Sequence, residues 1–242
     1  MSAQATVTAS LQGIASQTVG NVSDWSGEVR DGAGNGAATY TSNTSLNNPI
    51  EVFYESGGRG DTGIGTRTFL FFDGIDTATG GGTITTASLQ VLGYAVGDCE
   101  VIPISASAWG GDGSTTTLSN GDYDSLYKSG TSYQQYANAI TSWNTSGYNS
   151  FTLNSTAIAD MSNDGYLNVA LVDHVYDFQY QNPSLPTTIT SGIEFLDASF
   201  PIKLVITYIA LGYGNSVNGV TSANLGAVDG ILTANISKVN GV

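Results

Sequence analysis

Short runs of alternating apolar and polar residues, separated by glycine-rich breaks, make up most of the chain. Ile50-Glu51-Val52-Phe53-Tyr54 and the segments 83–92, 149–153, 166–172, 189–195 and 201–208 read as strands, since every second side chain of an extended segment shares a face. Residues 66–72 (Thr-Arg-Thr-Phe-Leu-Phe-Phe) are strongly apolar and β-prone. Glu100-Val101-Ile102-Pro103-Ile104 is a further strand, its proline favouring an edge or an end. Glycine-rich loops fall at 31–36, 57–65 and 80–82, and a long loop of Gly, Asp, Ser and Thr runs from 110 to 130. Only 132–143 breaks the rhythm. There Tyr133, Tyr136, Ala137 and Ile140 fall at i, i+3, i+4 and i+7, which predicts a short helix. Even spacing of short strands without a βαβ alternation predicts an antiparallel sandwich. The expected division is an N-terminal arm (1–30), a β-sandwich domain (31–208) and a C-terminal tail (209–242).

Composition sharpens this. Glycine occupies 31 of 242 positions, nearly twice the usual share of ~7%. Of the 20 acidic residues 15 are Asp, a residue of turns rather than helices. Six Lys and Arg against 20 Asp and Glu give a formal charge of −14. So few cations cannot form the basic stripe that neutralises phosphates, which excludes nucleic acid as a partner. No apolar run approaches the ~18 residues of a membrane span, so no insertion is expected. The single cysteine, Cys99, excludes an intrachain disulfide, and the first residues carry no basic or apolar signature of a secretory signal.

The order of segments resembles a known family. Arg67-Thr68-Phe69-Leu70-Phe71-Phe72-Asp73 precedes Ile84-Thr85-Thr86-Ala87-Ser88-Leu89-Gln90-Val91. A strand then ends near Ala108-Trp109, and Trp143 precedes Phe151-Thr152-Leu153. Asn163-Asp164-Gly165-Tyr166-Leu167-Asn168-Val169-Ala170-Leu171 follows, and Ile193 to Ala198 leads to Pro201-Ile202-Lys203-Leu204-Val205-Ile206-Thr207-Tyr208. Over residues 38–208 this is similar to the DNRLRE-type sandwich related to carbohydrate-binding modules of extracellular polysaccharide-handling proteins. The resemblance implies an all-β, antiparallel jelly-roll-like sandwich. The chain departs from that pattern at Phe72-Asp73-Gly74 and at Trp109-Gly110-Gly111-Asp112.

The tail repeats with an eleven-residue period. Val217-Asn218-Gly219-Val220 returns as Val228-Asp229-Gly230-Ile231 and as Val239-Asn240-Gly241-Val242, with Leu225 and Ile236 between the units. An eleven-residue period suits a helical supercoil, but Asn-Gly and Asp-Gly favour a tight turn and penalise a helix. Each unit therefore reads as a turn with flanking apolar residues, unable to bury its own Val and Leu and so in need of neighbours. These fourteen or so positions are the expected oligomerisation residues. Tails of this kind resemble those closing tail, fibre and particle proteins of tailed bacteriophages.

Candidate chemistry is sparse. His174, the only histidine, lies between acidic residues at a strand end, unaccompanied by a nucleophile elbow, a zinc-type His pair or a P-loop. The carboxylate pairs Asp73/Asp76 and Asp122/Asp124 sit among turn residues, so no glycosidase pair stands out, and no metal or cofactor is expected. Aromatics are dense between 109 and 148. An aromatic platform beside carboxylates binds sugars by stacking and hydrogen bonding. The glycan candidates are Trp109, Tyr123 and Tyr127 with Asp122 and Asp124, the two tyrosines standing out because their loop is polar. For any single ring, core packing is the commoner role.

The expectation from sequence is a non-enzymatic structural component of a bacteriophage virion: a capsid decoration or head fibre, or a tail fibre or adhesin. It would form a homo-oligomer, preferably a trimer, with other virion proteins as partners and a host-surface glycan as a ligand. It would be assembled in the host cytoplasm. The alternative is a carbohydrate-binding module of a secreted or surface protein, with an extracellular location.

Overall fold

The computed structural model describes residues 2–40, 48–58, 60–94, 98–110, 117–126, 128–129, 132–193, 201–211, 227–228 and 231–232. In chain order the strands are β1 (Ser2–Thr8), β2 (Leu11–Gly20), β3 (Gly36–Tyr40), β4 (Asn48–Gly57), β5 (Gly60–Phe72), β6 (Thr83–Tyr94) and β7 (Val101–Ser105). After them come β8 (Lys128–Ser129), β9 (Ser132–Tyr133), β10 (Tyr148–Thr152), β11 (Leu167–Asp173), β12 (Thr187–Ile193) and β13 (Lys203–Ile209), and then the short pair β14 (Ala227–Val228) and β15 (Ile231–Leu232). Two α-helices, α1 (Ile75–Thr79) and α2 (Ser155–Asp164), and two π-helical turns, Trp25–Arg30 and His174–Phe178, complete the frame.

Every strand pair is antiparallel, and the strands form two packed layers. The outer layer runs β1-β13-β6-β10. In the inner layer β5 is central, with β2 and then β3 on one side. On its other side β4 covers the first half of β5 and β11 the second, with β12 beyond β4 and β7 beyond β11. The layers meet where β12 pairs with the last residues of β6. The fold is an open, all-β antiparallel sandwich, as the strand pattern predicts.

Burial explains why the strands read differently in sequence. The outer-layer strand β10 alternates buried and exposed, and β13 alternates over most of its length, so their apolar faces, with that of β6, close on the inner layer through Leu89, Val91, Phe151, Leu204 and Ile206 against Leu70, Phe72, Val169 and Leu171. Strands β7 and β11 are buried at every residue, and β5 from Gly65 to Phe72. They are covered twice, because described residues between Ala106 and Tyr133 lie over the far face of the inner layer. Trp109, Leu118, Tyr123, Leu126 and Tyr133 pack there on Phe69, Phe71, Ile102, Ile104, Ala170 and Val172. A strand covered on both faces needs no polar alternation, hence the unbroken run 69–72.

Two expectations are corrected, and one element goes unforeseen. Residues 2–30 are not an arm: β1 pairs with β13 along its full length and β2 pairs with β5 from Leu11 to Gly20. The turn that follows buries Trp25 and Val29 in a small core of their own. The sandwich thus begins at the first strand. Residues 132–143 are not helical: after β9 they run irregularly along β7, bridging Ile104 to Gln135 and Val101 to Ile140. Their apolar side chains do not share a face, since Tyr133 enters the second core while Tyr136, Ala137 and Trp143 enter the first. And α2 lies where the sequence shows no apolar stripe. It buries only Ala157 and Met161, and its ends are set by Asn154, whose side chain accepts from the N–H groups of Thr156 and Ala157, and by Gly165 in the left-handed region (φ 73°). Asn154 also donates to the carbonyl of Gln135, 2.8 Å away. Asn154→Ala is expected to cost about 1–2 kcal/mol in urea unfolding. A change under 0.3 kcal/mol would show that the cap carries no weight.

Candidate functional site

The sequence-predicted glycan residues do not form a surface. Trp109 is fully buried, in a left-handed backbone conformation (φ 56°), with its indole N–H unpartnered. Tyr123 is fully buried as well; its hydroxyl donates to the carbonyl of Val29 (3.0 Å). Gly65 permits this approach, because a Cβ there would lie 2.4 Å from that hydroxyl. Asp122 caps the short 3-10 turn Asn120–Asp124, accepting from the backbone and hydroxyl of Ser119 at 2.7 and 2.8 Å. Asp124 is exposed, and Tyr127 lies outside the described residues. Neither Trp109 nor Tyr123 offers a ring face to solvent, so these five do not make a platform.

Tyr123 instead belongs to a buried cluster around two of the chain's six cations. Arg67, fully buried on β5, makes a two-pronged contact with Asp177, Nε to Oδ2 and Nη2 to Oδ1, both 2.7 Å. It also donates to the carbonyls of Tyr123 (2.5 Å) and Arg30 (2.7 Å) and to the hydroxyl of Tyr133 (3.1 Å). Its guanidinium stands 3.9 Å from the Tyr123 ring centre. Burial works against this charge, but Asp177 and the two tyrosines outweigh it and hold the Arg67 pKa well above its ordinary value. Arg30 lies beside it, between the rings of Tyr133 (4.5 Å) and Tyr180 (4.2 Å), bonded to the Asp177 carbonyl and the Asp31 carboxylate, each at 2.5 Å. Both π-helical turns are thereby fastened to β5. These groups are consumed by one another, and the cluster is a fastening rather than a ligand site.

A second buried group sits at the end of β11. Asp173 is 1% exposed; its Oδ1 accepts from the N–H of Tyr176 (2.6 Å) and its Oδ2 has no hydrogen-bond partner. Burial pushes its carboxyl up to about 6, with the charge of Asp177 adding to the effect and the N–H of Tyr176 opposing it. Cys99 is nearby, buried and free, its thiol pushed up by burial. His174 faces Glu100 (Nδ1 to Oε2, 2.9 Å), a partly exposed pair that ties the turn His174–Phe178 to the start of β7.

The feature best built to receive a molecule is a half-open cavity of about 140 Å³ between α2 and the adjoining ends of β7 and β11. Its lining is mainly polar: Ser105 and Asn168 from the strands, Gln134 and Tyr136 from the irregular segment, Asp160 and Asp164 from α2, and Tyr166 at the helix exit. Tyr136, 3% exposed, has its hydroxyl 2.8 Å from Ser105 Oγ and donates to Asp160 Oδ2 at 2.7 Å. Gln134 donates to the same oxygen at 3.2 Å. Asn168 donates to the carbonyl of Ala108 (2.6 Å), and the ring of Tyr166 is backed by Phe71 at 5.5 Å. The sequence offered only one clue to this site, the Asp-Gly-Tyr run at 164–166, and that run reads equally well as a turn.

Of the predicted oligomerisation residues, Val228 and Ile231 fall in β14 and β15, where they pair antiparallel. Val217, Asn218, Gly219, Val220, Leu225, Asp229, Gly230, Ile236, Val239, Asn240, Gly241 and Val242 lie outside the described residues. No protein-family model and no curated protein sequence matches the chain.

Proposed function

We propose that the chain is a non-enzymatic structural component of a bacteriophage virion, a capsid decoration or head fibre or part of a tail fibre or adhesin. It presents the sandwich outward and assembles through residues 209–242. The observation that carries this reading is the pairing of Ala227–Val228 with Ile231–Leu232. It agrees with a tail of turn units rather than a supercoiled helix. Strands of two residues do not stand alone in water, so such units need neighbours, and subunits of the same chain supply them in register. Ile209 and Leu211, 49% and 61% exposed at the root of the tail, add apolar surface at the same end. Strands β1 and β2 are paired within the sheets, which favours the C-terminal segment for the assembly role.

Light scattering tests this. The full chain is expected at a discrete multiple of 25.0 kDa, a trimer by preference, and the chain lacking residues 214–242 as a single subunit. Identical masses for the two proteins would remove the tail from assembly. The second reading, a carbohydrate-binding module, draws on the polar cavity beside α2.

A further inference from the structure

We propose that the cavity between α2 and the ends of β7 and β11 binds a single sugar ring through its hydroxyl groups. A volume of about 140 Å³ is far above the ~10–15 Å³ that one water requires and suits a small ring. The lining combines what a neutral polyol needs. Gln134 and Asn168 bring amides that both donate and accept, Ser105, Tyr136 and Tyr166 bring hydroxyls, and Asp160 brings a carboxylate held in place by two donors. The half-buried Tyr166 ring supplies apolar surface for the carbon face of a sugar.

Local energetics point the same way. Asp160 and Asp164 stand one turn apart on the same side of α2, an arrangement of like charges that disfavours a helix. Asp164 also lies in the last turn, where the helix dipole opposes negative charge and no basic residue stands. Among the described residues neither carboxylate has an ion-pair partner. A ligand rich in O–H donors relieves both costs. A divalent cation suits the site less well, because it takes six or more oxygens, several of them carboxylates, and no group of three acidic, His or Cys side chains suited to a metal occurs among the described residues.

The test is a titration of the full-length protein with glucose, galactose, mannose and N-acetylglucosamine, each alone, followed by amide NMR shifts. At least one sugar is expected to produce saturable shifts confined to residues 105–106, 134–136 and 160–168. Asp160→Asn is expected to weaken that binding at least tenfold. Asp164→Ala, an exposed change that leaves the helix intact, is expected to weaken it severalfold with the remaining spectrum unchanged. The proposal is overturned if no sugar saturates, if the shifts map elsewhere, if Asp164→Ala binds as the unaltered chain does, or if calcium chloride moves these residues and the sugars do not. The assembly proposal is read from subunit mass and stands or falls separately.

Discussion

Arg67→Met is expected to destabilise the protein by about 3–5 kcal/mol, the range seen when one partner is removed from a buried ion pair. The methionine fills much of the volume but leaves the Asp177 carboxylate without its two-pronged donor. It also leaves the carbonyls of Tyr123 and Arg30 without the bonds they accept from Arg67. For a chain of this size the midpoint of thermal unfolding should fall by roughly 10 °C or more. The double variant Arg67→Met/Asp177→Leu should lose less than the single one, since it removes the stranded charge with its partner. Urea unfolding of both proteins decides the matter. A loss under 1 kcal/mol for Arg67→Met, or a double variant weaker than the single by a further 3 kcal/mol, would show that the pair is not what holds the π-helical turns to β5.

The second large effect depends on pH. Asp173 has its carboxyl raised from 3.8 to about 6 by burial, so the folded protein holds a proton there that the unfolded chain releases. Stability from this residue is fully present below pH 3.8 and is lost as pH rises through 6. The gap corresponds to about 3 kcal/mol at pH 7.5 and about half of that at pH 5. Asp173→Asn keeps the acceptor for the N–H of Tyr176 and removes the charge. It is therefore expected to be the more stable protein by these amounts, with the difference shrinking as the solution is acidified. Chemical unfolding of both proteins at several pH values separates this residue from all others, because their titrations cancel in the difference. A difference that stays flat between pH 7.5 and 5 would mean that the carboxylate is solvated in solution.

The contrast between these buried charges and the strands around them marks the limit of what the sequence discloses. The inner strands were legible because burial on both faces writes an unbroken apolar run, as at Phe69 to Phe72, and the outer ones because burial on one face writes alternation, as at 149–153. Spacing misled at 132–143: residues at helical intervals entered two different cores, a possibility that one-dimensional periodicity does not represent. Helix α2 left almost no apolar trace, and its signal was in its ends, Asn154 and Gly165. The site was less legible still. Tyr123 sits in a polar stretch, yet it is buried because Arg67 gives its ring and carbonyl a partner 56 residues away in sequence. The cavity draws Ser105, Gln134, Asp160 and Asn168 from separate segments, brought together by the pairing of β7 with β11, the bridge from Ile104 to Gln135 and the bond from Tyr136 to Asp160.

The pairing of β1 with β13, Ser2 opposite Ile209 through Thr8 opposite Lys203, has a consequence for biosynthesis. Strand β1 is made well before its partner β13. At ribosomal rates of ~5–20 residues per second, the interval is on the order of 10–40 s. Throughout it the outer layer lacks its second strand, and the apolar face of the inner layer that Leu204 and Ile206 will cover stays open. Contacts so distant in sequence also slow folding after release. The nascent chain is thus most prone to associate wrongly just before residues 203–209 emerge, and expression at lower temperature or with chaperones in excess should raise the soluble yield more than any change to the surface.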